Sequence, residues 1–417
     1  MATDHPLRLS LNDEIHGRPA MNITSPARIS HFAFTKAAPG AALAAIADLS
    51  RRLGATSPAP DAVYHAFTAK GFSLKWEQHG EFYTLAVATE GDATQAFNAP
   101  AAAKLPAGFL AGLPGERLVA LNIAVRKGKS ARLSPEKLFG HDDLAGARVT
   151  GGAATVWMDF RIGADGFSRA LVMDHALGPA RLGRLIRRLV EIETYRMMAL
   201  LAFPVARGLQ PTLSRLEQEL TGTIGKAQSP DETAEAELLA RLQSAAREIE
   251  ETANATNFRF AAARAYAALA NKRISELREE RIEGLQRIET FLERRFAPAM
   301  KTCEAAERRL SALAERSERA SNLLRTRVDI ALEAQNQTLL RSLEQSARRQ
   351  LRLQQTVEGL SVVAISYYLL AILGRILEGA EALHWGPHAI LAEAVLAPFV
   401  VLAVWLAIRR VRRSLKD

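Results

Sequence analysis

Cysteine is almost missing from this chain of 417 residues: Cys303 stands alone, which excludes an intrachain disulfide framework and any multi-cysteine metal site. Aromatic residues make up only 6%, so the core must rest on Ala, Leu, Val and Ile. No Walker loop, nucleophile elbow, dinucleotide fingerprint, HExxH or CxxC spacing occurs; no cofactor is expected, and whether a metal binds stays open. The N-terminus, MATDHPLRLS, lacks the apolar core of a signal peptide. A concentrated block of basic charge is missing too. Residues 1–180 carry 18 Lys/Arg against 16 Asp/Glu, and residues 181–356 carry 30 against 24, within a net charge of +9. That excess is diluted along a Glu-rich helical region, so nucleic acid, which demands one compact basic face, is not an expected partner. With 48% hydrophobic and 24% charged residues, the chain is not disordered as a whole.

Two long apolar runs close the chain. Gly359–Gly374 has no charge, and Ala389–Ile408 carries one, Glu393. At 1.5 Å per helical residue each is about 27–30 Å long, one hydrocarbon thickness. A transmembrane helical hairpin is therefore expected over 357–408, with a basic tail over 409–417. Arginines precede the first run (Arg341, Arg348, Arg349, Arg352) and follow the second (Arg409, Arg410, Arg412, Arg413), while the turn has only Arg375. This bias puts both termini on the cytoplasmic side of a membrane, with the lipid bilayer as a partner. Arg375 and Glu393 are expected at one depth, as a membrane ion pair or as part of an ion path.

From Ala299 to Gly386 there is no proline, and Ala, Glu, Arg, Leu and Gln dominate. One helix is expected from about 300 to 375. Its apolar positions recur at mixed steps of 3 and 4, which suits a bundle or multi-subunit stalk better than a two-stranded coiled coil. Upstream, a helix is expected from Pro179 to near Pro204 and a second over about 231–296, so that 179–356 forms a long-helix bundle.

Residues 1–178 read as a cytosolic α+β domain with a mostly antiparallel sheet. Strands are expected at 28–34, 72–78, 81–88, 117–125, 155–162 and 167–173, and a helix at 39–53. His79-Gly80 marks a hairpin turn. Two polar clusters stand out. LNDEIHGRP gathers Asn12, Asp13, Glu14, His16 and Arg18. KWEQHGE alternates Lys75, Glu77 and His79, which places these three on one strand face. Imidazoles beside carboxylates are the raw material of acid–base or metal chemistry. An enzyme would need the two clusters to converge.

The stretches HPLRLSLNDEIHGRP, KWEQHGEF, RLIRRLVEIETYRMMALLAFPVAR, LLRTRVDIALEAQNQ and LRLQQTVEGLSVVAISYYLL together resemble an uncharacterised bacterial family of predicted membrane-anchored proteins, a domain of unknown function, over nearly the whole chain. The resemblance implies a C-terminal membrane anchor. The plan of a cytosolic domain, a long helix entering the first of two spans, and cytosolic ends also resembles CorA-type divalent-cation transporters. Their Gly-Met-Asn after the first span is replaced here by Gly374-Arg375-Ile376, and an arginine facing a pore would repel cations. On that resemblance Glu358, Ser361, Ser366, Tyr367 and Tyr368 are candidate pore positions. The expected function is a non-enzymatic membrane-anchored protein, homo-oligomeric, binding a partner or ligand. The alternatives are a CorA-like ion channel or transporter and a membrane-tethered enzyme.

Overall fold

The computed structural model describes residues 4–9, 11–12, 17–91, 97–128, 134–226, 235–382 and 388–414. One compact unit comprises Met1–Ser229 and Ala240–Ser321; a second comprises Pro230–Leu239 and Asn322–Asp417.

The first unit contains a nine-stranded sheet in the order β2-β3-β4-β1-β5-β8-β7-β6-β9. Its strands are β1 (Ala27–Thr35), β2 (Tyr64–Ala69), β3 (Phe72–Gln78), β4 (Phe82–Glu90), β5 (Glu116–Lys127), β6 (Ala145–Val149), β7 (Ala154–Met158), β8 (Ser168–Asp174) and β9 (Glu280–Arg281). All pairings are antiparallel except β5 with β8. The expected α+β class with a mostly antiparallel sheet is what forms. His79 N–H donates to the Phe82 carbonyl at 2.8 Å and closes the β3–β4 hairpin where His79-Gly80 was expected to turn the chain.

Every β4 residue from Phe82 to Thr89 is buried, so both sheet faces are covered there. One face is apolar. Phe32, Leu74, Trp76, Leu85 and Val87 pack with Ile46 and Leu49 of α1 (Ala41–Arg52). Each such side chain contributes about 1.5–3 kcal/mol when fully buried. The other face meets α3 (Pro179–Leu200), which follows the five-residue α2 (Pro135–Phe139). Gly183 permits that docking: a Cβ there would lie 1.7 Å from the Met21 carbonyl oxygen.

The remaining helices of this unit are α4 (Ala202–Lys226), α5 (Glu235–Ser275) from Ala240 onward, α6 (Ile288–Arg295) and the first part of α7 (Ala297–Ala382). Leu213, Leu216 and Leu220 of α4, Leu242, Ile249 and Phe260 of α5, and Cys303, Leu310 and Leu313 of α7 are buried.

Several expected boundaries move. The helix is interrupted at Leu201, and Pro204 falls inside the first turn of α4, where a missing N–H costs nothing. The helix expected over 231–296 ends at Ser275. Left-handed Arg278 and Gly284 reverse the chain there, β9 joins the sheet edge beside β6, and α6 begins only at Ile288. The strand expected over 155–162 stops at Met158 because Phe160 adopts φ 50°.

In the second unit, α7 continues without a break to Ala382, and α8 spans Ala389–Ser414. Both helices are long and apolar enough to cross a membrane.

Candidate functional site

Strand alternation carries Lys75, Glu77 and His79 to the sheet face opposite the apolar core. The register sets His31 of β1, Ala86 of β4 and Lys75 of β3 side by side, and Ala33, Thr84 and Glu77 in the next row. The middle positions, Ala86 and Thr84, are small. Their larger neighbours therefore surround an unfilled space, a cavity of about 170 Å³ under α3. Lys75 and Glu77 form an ion pair of 2.9 Å with side chains only 8% and 12% exposed. A pair so far from water survives because each charge compensates the other.

The roof of the cavity is the stripe Gly183, Arg187, Glu191 and Tyr195, spaced by four along α3 and so on one helix face. Thr194 beside it holds the Nε2 atom of His31 at 2.9 Å. Arg187 Nε donates to Glu191 at 2.7 Å, and its Nη1 donates to the Arg18 carbonyl at 2.8 Å. The chain from Arg18 to Ile23 is thereby strapped across α3 as one wall, with Ile23 N–H donating to the Pro179 carbonyl at 3.3 Å. Arg273, near the end of α5, bridges Glu191 and Glu276, and Arg188 reaches Glu276 at 3.4 Å.

Burial governs the titratable groups. Loss of water lowers His31 to about 3, with the Lys75 charge adding to the effect. Burial also lowers His79 to about 4, with Glu77 opposing and Arg18 assisting. Both imidazoles are therefore neutral at pH 7. Burial and Glu191 push the Tyr195 phenol up to about 12. His79 stacks on Phe82 at 4.3 Å, and Tyr195 stacks on Tyr266 at 5.9 Å. Outside this aromatic cluster lies a second, more open recess.

A family model described as "Protein of unknown function (DUF3422)" matches residues 3–415. The chain belongs to this family. No curated protein and no solved structure gives a match. What this member of DUF3422 does must be argued from the cavity itself.

Of the two N-terminal clusters, the structure brings together Arg18, Lys75, Glu77 and His79. Asn12 is exposed and does not line the cavity. Asp13, Glu14 and His16 lie outside the described residues. Sequence reasoning missed His31, Thr194, Arg187, Glu191, Tyr195 and Arg273. The four-residue stripe on α3 was a visible signal. Arg273 had none, since only the folded chain brings α5 to the site. No group of three or more His, Cys, Asp or Glu suited to a metal occurs among the described residues.

In the second unit Arg375 and Glu393 form no ion pair. The Glu393 carboxylate lies instead against Gly374, 3.2 Å from where a Cβ would stand. Gly374 faces α8, and the next residue points about 100° away around the helix, which turns Arg375 outward to an exposed position. Ser361 Oγ donates to the Val357 carbonyl at 2.9 Å, and Ser366 is buried. Tyr367 and Tyr368 are exposed, their rings edge to face at 5.9 Å. Glu358 is half-buried. Glu381 accepts the Ala389 N–H at 2.8 Å and pairs with His388 at 2.7 Å, tying the start of α8 to the end of α7.

Proposed function

We propose that this protein is held on a lipid bilayer by the end of α7 together with α8, and that its sheet-containing unit binds a small polar molecule in the cavity between β3, β4, β1 and α3. One observation carries the binding reading. Ionisable side chains from the N-terminal strap, β1, β3, α3 and α5 converge on a partly enclosed space, the setting in which small polar molecules are bound. Membrane anchoring is supported by exposure. In the most apolar stretches of α7 and α8 only 11% and 17% of residues are buried, the reverse of a soluble core helix. The basic residues flanking these stretches support cytoplasmic termini at a bacterial inner membrane.

Self-association is part of the proposal. Leu323, Ile330, Leu339, Leu343 and Leu351 stand more than half exposed on α7 ahead of the apolar stretch. The ion-channel alternative rests on architecture alone, and the cavity favours ligand binding. The enzyme alternative has one observation behind it, that His79 and Glu77 line the same cavity; a histidine lowered to about 4 is a weak base at pH 7, which favours binding over catalysis.

The test uses the intact chain in detergent, challenged with pools of polar metabolites while its thermal midpoint is followed. At least one pool should raise the midpoint of the wild type by several degrees and leave Ala86→Leu, with its filled cavity, unmoved. Equal responses in both proteins, or none in either, would contradict binding in this cavity.

A further inference from the structure

Beside the cavity lies the more open recess, and the chemistry of the two differs. The inner one, about 170 Å³, is lined by His31, Lys75, Glu77, Arg187, Glu191 and Arg273. The outer recess, about 350 Å³, is lined by Val63, Tyr266 and Leu269 among others. Arg18, His79, Phe82 and Tyr195 border both. These four side chains form the boundary between the two, so a ligand that occupies both must displace or pass them.

The inner compartment has a surplus of positive charge. Lys75 and Glu77 cancel. Of the lining groups on α3 and α5, Arg187 and Arg273 share the single carboxylate of Glu191; outside the lining, Glu276 pairs with both Arg273 and Arg188, so the network as a whole keeps one positive charge. The histidines add none, since both are neutral at pH 7. Donor capacity remains as well. Arg187 bonds through Nε and Nη1, and Arg273 through the same two atoms, so the Nη2 group of each stands outside these bonds. His31 is 4% exposed, and its Nδ1 has no partner among the described residues. A buried polar atom left without a partner calls for one, and a ligand can supply it.

The outer recess is built from flat rings. His79 lies on Phe82 with planes 15° apart, Tyr195 on Tyr266 with planes 16° apart, and Phe82 meets Tyr266 edge-on at 6.0 Å. Val63 and Leu269 at its rim are exposed apolar side chains. Such a surface favours an apolar ring over a hydrated group.

We propose that the occupant is a ring-bearing organic acid. Its oxyanion sits in the inner compartment against Arg187, Arg273 and Lys75, and its ring sits in the outer recess beside Tyr266 and the His79–Phe82 pair. This rests on the reading that the cavity binds a small molecule. Guanidinium forks match the planar geometry of a carboxylate and also suit a phosphate, so both head groups are tested.

The experiment is calorimetric titration of the intact chain in detergent with phenylacetate, phenyl phosphate, acetate, benzyl alcohol and phenethylamine. At least one ring-bearing acid should bind at least tenfold more tightly than acetate, the alcohol and the amine. Arg273→Gln should weaken that acid at least tenfold, Tyr266→Leu should narrow its advantage over acetate, and Ala86→Leu should abolish its binding. If phenethylamine or the alcohol binds best, and is lost in Ala86→Leu, the cavity still binds small molecules and the acid assignment falls. If the acid binds wild type and Ala86→Leu alike, the cavity reading falls with it. No heat from either ring-bearing acid at millimolar concentration also overturns the assignment.

Discussion

Lys75 and Glu77 are the residues on which the site's electrostatics turn. Removing one partner strands the other charge out of water, which costs about 3–5 kcal/mol. Glu77→Leu should therefore destabilise the chain by about that amount in denaturant unfolding, while Lys75→Met with Glu77→Leu should recover much of the loss. A double variant as unstable as the sum of the singles would show that the two charges do not act as a pair. The histidines predict a pH dependence. Their folded-state values, about 3 for His31 and about 4 for His79, lie below the 6.5 of the unfolded chain. Below pH 6.5 the unfolded state takes up protons first. The stability these histidines contribute is complete above that pH and is lost as the pH falls toward 4, by up to about 1.4 kcal/mol per pH unit for each ring. Glu279, pushed up to about 7 by burial, acts in the opposite direction: its contribution is present below 4.5 and lost as the pH rises through 7. His31→Asn separates the two effects and should flatten the acid limb between pH 6 and 4. An unchanged limb would contradict a buried, neutral His31.

Among the elements, the docking of α3 on the sheet decides whether a site exists. The Met21–Ile23 strap crosses α3 at Gly183, where no Cβ fits. Gly183→Ala forces the strap off its helix and should cost about 1–3 kcal/mol or more, with faster amide exchange at Ile23 as the local sign. Wild-type exchange at that amide would refute the strap. The elements also show what could be read in advance. Lys75, Glu77 and His79 were assignable to one face because a strand repeats every two residues, and α7 was legible from its run of helix formers with no proline after Pro298. Chain order does not say which helix covers which sheet face, so the α3 stripe could not be joined to those residues beforehand. β2, β6 and β9 escaped notice because they are short and lack a run of β-branched residues. Chain order likewise does not set rotation about either apolar helix, so it could not say whether Arg375 meets Glu393.

At the scale of the whole molecule, one folded unit carries the cavity, and two apolar helical stretches lie largely exposed. The intact chain should stay with the membrane fraction after alkaline carbonate extraction and float with vesicles in a density gradient; release into the soluble fraction would contradict anchoring. A periplasm-only reporter fused after Asp417 should be silent, and activity there would reverse the proposed orientation. The most direct measurement concerns the cavity. Wild type and Ala86→Leu would be purified intact under identical conditions and denatured, and the small molecules released would be compared by mass spectrometry. The wild type should release an acidic, ring-bearing compound that is missing from Ala86→Leu. Identical profiles from the two proteins would contradict it.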